Sequence, residues 1–226
     1  MKKLLFLSLL NLLALNANAD LTIRNPRIMF AGDSHSYGKM GATLESELSK
    51  ISTDRSFMSS CGSSASTWLK KSGNEKTVCG FWKKEGNIEI RQTNFNNPKL
   101  ADEITRFKPD VVIVQLGTNM AASKYPANSR TSIQELLKVV TSHPVTCIWI
   151  GPPDANSLVV TDEKLKVVND ILIEETKLAG CHFIDSLKLT AFPIKNTEGI
   201  HYPSSLSIEW GNKLSLLIRE ILSSIL

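Results

Sequence analysis

Residues 28–36 read Ile28-Met29-Phe30-Ala31-Gly32-Asp33-Ser34-His35-Ser36, four contiguous apolar side chains running straight into a turn of glycine, aspartate and hydroxyl residues. A short apolar run closed by turn residues predicts a strand buried on both faces, the kind that parallel sheets use. Open α/β sheets take their ligands in the loops at the carboxyl ends of such strands. Ser34 is thereby a candidate nucleophile.

The rest of the chain repeats this unit. Met40, Leu44, Leu48 and Ile51 recur at helical spacing after the turn. Phe57 to Ser60 is a short second strand, and it enters the small-residue loop from Cys61 to Thr67, where backbone can approach a ligand closely. Val111 to Leu116, Thr146 to Ile150 and His182 to Asp185 are three further strands; the first ends at Gly117-Thr118-Asn119 and the second at Gly151-Pro152-Pro153. Helices are predicted after Pro98, over Ser129 to Thr141, from the capping Thr161 to Ala179, and towards Leu226 with Trp210, Leu214, Leu217, Ile218 and Ile221 on one face. Five strands alternating with helices predict an α/β chain, a three-layer α/β/α sandwich around a mostly parallel five-stranded sheet.

Two segments depart from the alternation. Residues 70–97 are the least regular, with Val78, Phe81, Trp82, Ile88 and Ile90 spaced like a hairpin around Glu85-Gly86-Asn87, and are taken as an irregular insertion. The first nineteen residues combine Lys2 and Lys3, an apolar stretch from Leu4 to Leu15 too short to span a bilayer, and the small-x-small triplet Ala17-Asn18-Ala19. Those are the parts of a cleaved secretion signal. The expected mature chain, residues 20–226, is of single-domain size. It carries 24 basic and 22 acidic residues, too even a balance to argue for nucleic acid or an anionic membrane surface.

Export places Cys61, Cys79, Cys147 and Cys181 in an oxidising compartment. Of the three possible pairings, Cys61 with Cys79 closes the insertion and Cys147 with Cys181 ties two neighbouring strands. Metal-ligand spacing is absent: no CxxC or HxxxH occurs, and the four histidines are scattered.

The loops after the strands bring Ser34, Gly62, Asn119 and the Gly-Pro-Pro turn to one edge of the sheet, with Glu198-Gly199-Ile200-His201 just before the last helix. Acyl transfer needs such a set: a nucleophile, a base, a group to orient the base, and donors for an oxyanion. In order, the blocks resemble those of the SGNH, or GDSL-type, hydrolases over nearly all of the expected mature chain. Gly32 to Ser36 matches the first block and Gly62 the second. Gly117-Thr118-Asn119 matches the third with Met120 in place of aspartate, and Glu198 to His201 the last with glutamate for aspartate.

The resemblance implies a flavodoxin-like fold, Ser34 as nucleophile, His201 as base and Glu198 as its orienting carboxylate. The Ser34 and Gly62 N–H groups and the Asn119 amide would form the oxyanion hole. No cofactor or metal is implied. Asp185 is the reserve carboxylate; Asp33 is expected to brace the turn, and His35, adjacent to Ser34, is not expected to reach it.

The family includes esterases, lipases, thioesterases and carbohydrate acetyl-esterases. The signal, the absence of a long apolar lid and an expected Phe81–Trp82 platform point to O-acetyl groups on a carbohydrate or peptidoglycan, acted on by a monomer in the periplasm or outside the cell. A lysophospholipase or thioesterase, or an inactive glycan-binding protein, is the alternative.

Overall fold

The computed structural model describes residues 25–70, 76–193 and 199–225, so the signal segment and Glu198 lie outside the described residues. Strand β1 (Ile28–Gly32) is buried along its whole length. The chain turns through the short helix α1 (Ser34–Tyr37) into α2 (Lys39–Leu48), then returns as β2 (Arg55–Ser60), parallel to β1. After α3 (Ala65–Leu69) come the hairpin strands β3 (Phe81–Glu85) and β4 (Ile88–Gln92), and then α4 (Leu100–Phe107). The second half alternates regularly: β5 (Val111–Gln115), α5 (Thr118–Ala121), α6 (Ser129–Thr141), β6 (Thr146–Ile150), α7 (Asp162–Leu178), β7 (His182–Ile184) and α8 (Ser204–Ile225).

The strands lie in the order β4-β3-β2-β1-β5-β6-β7. The five parallel ones, β2-β1-β5-β6-β7, are those expected from the sequence and have the flavodoxin-like order. The chain leaves β1 towards one edge and re-enters beside it as β5. The crevice at the carboxyl ends of these two strands is the switch point at which such sheets bind ligands.

Alternate side chains of each strand enter opposite faces. Ile28 and Phe30 of β1 join Phe57, Trp82, Ile113 and Ile148 beneath the apolar stripes of α2 and α8, where Phe30 and Phe57 stack with centroids 4.1 Å apart. Met29 and Ala31 join Met58, Phe81, Val112, Val114 and Trp149 beneath α4, α6 and α7.

The insertion is where the structure corrects the expectation. Residues 81–92 are not irregular: β3 pairs antiparallel with β2 from Ser60↔Phe81 to Ser56↔Glu85, so the sheet has seven strands instead of five. An uncovered β2 would present an open edge, and the hairpin satisfies it. Its polar residues are held by neighbouring helices. Lys83 pairs with Glu103 at 2.9 Å and Lys84 with Glu45 at 2.7 Å. Glu85 accepts from the Arg106 guanidinium at 2.7 Å, which holds its carboxyl down to about 2.

Both expected disulfides are present, with Cα–Cα separations of 5.2 Å for Cys61–Cys79 and 4.8 Å for Cys147–Cys181. The first pins the loop after β2 to the lead-in of the hairpin, and the second ties β6 to the start of β7.

Candidate active site

The turn after β1 is built from its own side chains. Asp33 caps α1, its Oδ1 accepting the His35 N–H at 3.0 Å, while the Ser36 hydroxyl donates to the Asp33 carbonyl at 2.8 Å. Glycine is required at position 32 because a Cβ there would run into the Ser36 side chain. This tight turn leaves Ser34 half-buried at the lip of a cleft of about 270 Å³, which Ser34, His35, Tyr37, Lys39, His201 and Tyr202 help to line.

His201 arrives from the loop before α8. Its Nε2 lies 2.9 Å from Ser34 Oγ, across 167 residues of sequence. The next residue holds that loop in place. Tyr202 donates its hydroxyl to the Asp154 carbonyl at 2.7 Å, its ring meets Phe192 at 5.0 Å, and its own carbonyl accepts from Ser207 Oγ at 3.1 Å. Burial pushes the Tyr202 hydroxyl up to about 12, so it stays a donor. Asp154 also accepts the Phe192 N–H at 2.7 Å, which fastens the loop after β6 to the segment before the histidine. Sequence reasoning missed Tyr202 and Asp154; the tyrosine directly after the candidate base was the available signal.

His35 does not compete for the nucleophile. It is buried, its ring 5.2 Å from that of His201 and 5.4 Å edge-on from Trp210. Burial, with the neighbouring His201 charge adding to it, pushes the His35 imidazole down to about 3.

Gly62 follows β2 with φ +81°, a left-handed conformation that a side chain would strain. A Cβ there would also strike Val78. The next residue, Ser63, is a hub that sequence reasoning did not single out. Its hydroxyl donates to the Gly32 carbonyl at 3.2 Å and accepts from Trp68 Nε1 at 3.1 Å, and its carbonyl accepts from Asn119 Nδ2 at 2.9 Å. The loops after β1, β2 and β5 are thus joined around one serine. Met120, standing where the family pattern has aspartate, is buried in the core cluster under α6 and α7.

Three other expected residues lie elsewhere. Asp185 accepts from Asn169 Nδ2 at 3.2 Å and pairs with Lys188 at 3.1 Å. Phe81 and Trp82, expected to form a substrate platform, are 0% and 3% exposed. Adjacent strand residues face opposite ways, so each fills a different half of the core.

A serine and a histidine in hydrogen-bond contact at the carboxyl edge of a flavodoxin-like sheet are the parts a nucleophilic hydrolase needs. The chain belongs to the GDSL-like lipase/acylhydrolase family, whose model matches residues 30–203. Protein BcsX of Komagataeibacter xylinus is 27% identical over 198 residues, covering 83% of this chain and 74% of that protein. The fold is similar to that of a lipase/acylhydrolase from Enterococcus faecalis, with TM-score 0.60 and 18% identity over 88% of this chain and 96% of that one. It is also similar to Est24, a carbohydrate acetylesterase from Sinorhizobium meliloti, with TM-score 0.57 and 14% identity over 86% and 99% of the two chains.

Proposed function

We propose that the protein is an exported single-domain esterase that removes O-acetyl groups from carbohydrate, either an envelope polysaccharide or peptidoglycan, through an acyl-enzyme on Ser34. The observation that carries this reading is the 2.9 Å contact between Ser34 Oγ and His201 Nε2 at the lip of a cleft of about 270 Å³. His201 takes the Ser34 proton as Oγ attacks the ester carbonyl, and returns it to the departing sugar hydroxyl. Water then repeats the sequence against the acetyl-enzyme. The Ser34 and Gly62 N–H groups and the Asn119 amide receive the oxyanion, and Glu198 orients His201.

The small volume of the cleft favours a short acyl group over a long chain. The carbohydrate acetylesterase activity of Est24 points the same way. Export is supported by the segment 1–19 and by two disulfides. Among the described residues no helix is long and apolar enough to cross a membrane.

A fluorophosphonate probe tests the nucleophile: labelling at Ser34 is expected, and an unlabelled protein would reduce the chain to a glycan-binding role. Acetate release from a panel of acetylated polysaccharides and peptidoglycan, run beside long-chain and thioester substrates, tests the substrate class. Preference for the long chains would make it a lysophospholipase or thioesterase instead.

A further inference from the structure

The nucleophile turn rests on a carboxyl group with no counter-charge. Asp33 is 0% exposed. Its Oδ1 accepts the His35 N–H, and its backbone carbonyl accepts the Ser36 hydroxyl and, at 3.1 Å, the Tyr37 N–H. Oδ2 has no hydrogen-bond partner. The preceding Gly32 pairs in register with Ser59 of β2 on one side and Gln115 of β5 on the other. Gln115 is also fully buried beside the Asp33 carboxyl, where its amide favours the ionised form against the larger effect of burial; neither its Oε1 nor its Nε2 reaches hydrogen-bond geometry, and Ser59 Oγ and Thr118 Oγ1 are likewise unpartnered.

A buried carboxylate without a cation is costly. A protonated carboxyl gains a donor, and Gln115 Oε1 lacks one. Burial pushes Asp33 up to about 7. Its titratable surroundings are few. His35 on the same turn is held neutral, and His201 stands beyond it from the loop before α8. From the neighbouring strand, β5 brings Gln115, which does not titrate.

We propose that Asp33 is a positioning residue that works as a neutral acid: its Oδ2–H donates to Gln115 Oε1 while Oδ1 accepts from His35 N–H, locking the turn that aims Ser34. Ionisation removes the donor and leaves a buried charge under the nucleophile, so the turn loosens as the proton is lost. Asparagine carries the same donor and acceptor at every pH.

The test compares wild type, Asp33→Asn and Gln115→Leu in two measurements. The first is kcat and KM on 4-nitrophenyl acetate from pH 5.5 to 9. Wild-type kcat is expected to fall several-fold above about pH 7 with KM little changed, and that limb should be missing in Asp33→Asn. Gln115→Leu should lower kcat about tenfold at pH 6 by removing the acceptor. The second is the thermal midpoint, where the gap in favour of Asp33→Asn should widen by several degrees between pH 4.5 and 7.

The proposal is overturned if Asp33→Asn fails to fold, melts below wild type at every pH or shares its alkaline limb, or if Gln115→Leu keeps the wild-type kcat. The kinetic arm rests on Ser34 as nucleophile, whereas the thermal arm does not. A wild type that does not turn over 4-nitrophenyl acetate at all would count against the esterase reading and leave the thermal arm to decide Asp33, whereas a shared alkaline limb or a thermal gap that does not widen would count against Asp33 as an acid.

Discussion

Asn119 donates its side-chain amide to the Ser63 carbonyl at 2.9 Å, so the loop after β5 is held by the loop that carries Gly62. One amide hydrogen fixes the group's orientation, and the other remains to meet an oxyanion. Removing one oxyanion donor costs roughly 100 to 1,000-fold in rate. Asn119→Ala is expected to lower kcat on 4-nitrophenyl acetate by that much while KM moves little. A kcat within about threefold of wild type, an order-of-magnitude margin set well inside that range, would leave Asn119 only the bracing contact.

With Ser34 as the proposed nucleophile and His201 as its proposed base, the two act as a unit, so either alanine variant should lose about 10⁴-fold or more in kcat, and the double variant hardly more. Because Ser34 is half-buried and His201 exposed, both variants should melt within a few degrees of wild type. Glu198→Gln should be impaired less than either, since Glu198 in its proposed orienting role takes no proton from Ser34. Normal turnover by the serine variant would move the nucleophile elsewhere.

The parallel strands and the loops beyond them were legible because contiguous apolar runs ending in small residues have few other readings, and Ser34, Gly62 and Asn119 fall directly at those ends. The hairpin was legible as a hairpin but not as part of the sheet. Lys83, Lys84 and Glu85 give it a solvated look, and no local spacing reveals their pairing with Glu103, Glu45 and Arg106 on two distant helices. The burial of His35 against Trp210, the Tyr202–Asp154 contact and the Ser63 hub have the same origin: each joins segments far apart in sequence.

His35 and Asp33 should leave opposing marks on the pH dependence of stability. His35 is pushed down to about 3 from 6.5, so the unfolded chain takes its proton first; its contribution is complete above pH 6.5 and is lost as pH falls below that. Asp33 is pushed up to about 7 from 3.8, so its contribution is complete below pH 3.8 and is lost as pH rises to 7. Each slope is at most about 1.4 kcal/mol per pH unit, and between pH 4.5 and 6.5 they oppose each other. Wild type should therefore have a nearly flat thermal midpoint there, whereas His35→Phe should lose stability as pH rises through that window. Parallel profiles for the two proteins would show that His35 titrates normally in the fold.

Trp82 separates a structural hairpin from a binding platform. Its ring lies 4.9 Å from Phe57 and under the Arg91 guanidinium at 4.1 Å, and its Nε1 donates to Glu89 at 2.9 Å. Truncating a buried tryptophan costs about 3 to 5 kcal/mol through lost burial and the cavity left behind. Trp82→Ala should lower the denaturation midpoint accordingly, yet leave KM for an acetylated oligosaccharide unchanged at temperatures where the variant is folded. Trp82→Phe should recover most of the stability by refilling the space against Phe57. A raised KM in both variants with little loss of stability would instead put the side chain in contact with substrate, against its 3% exposure.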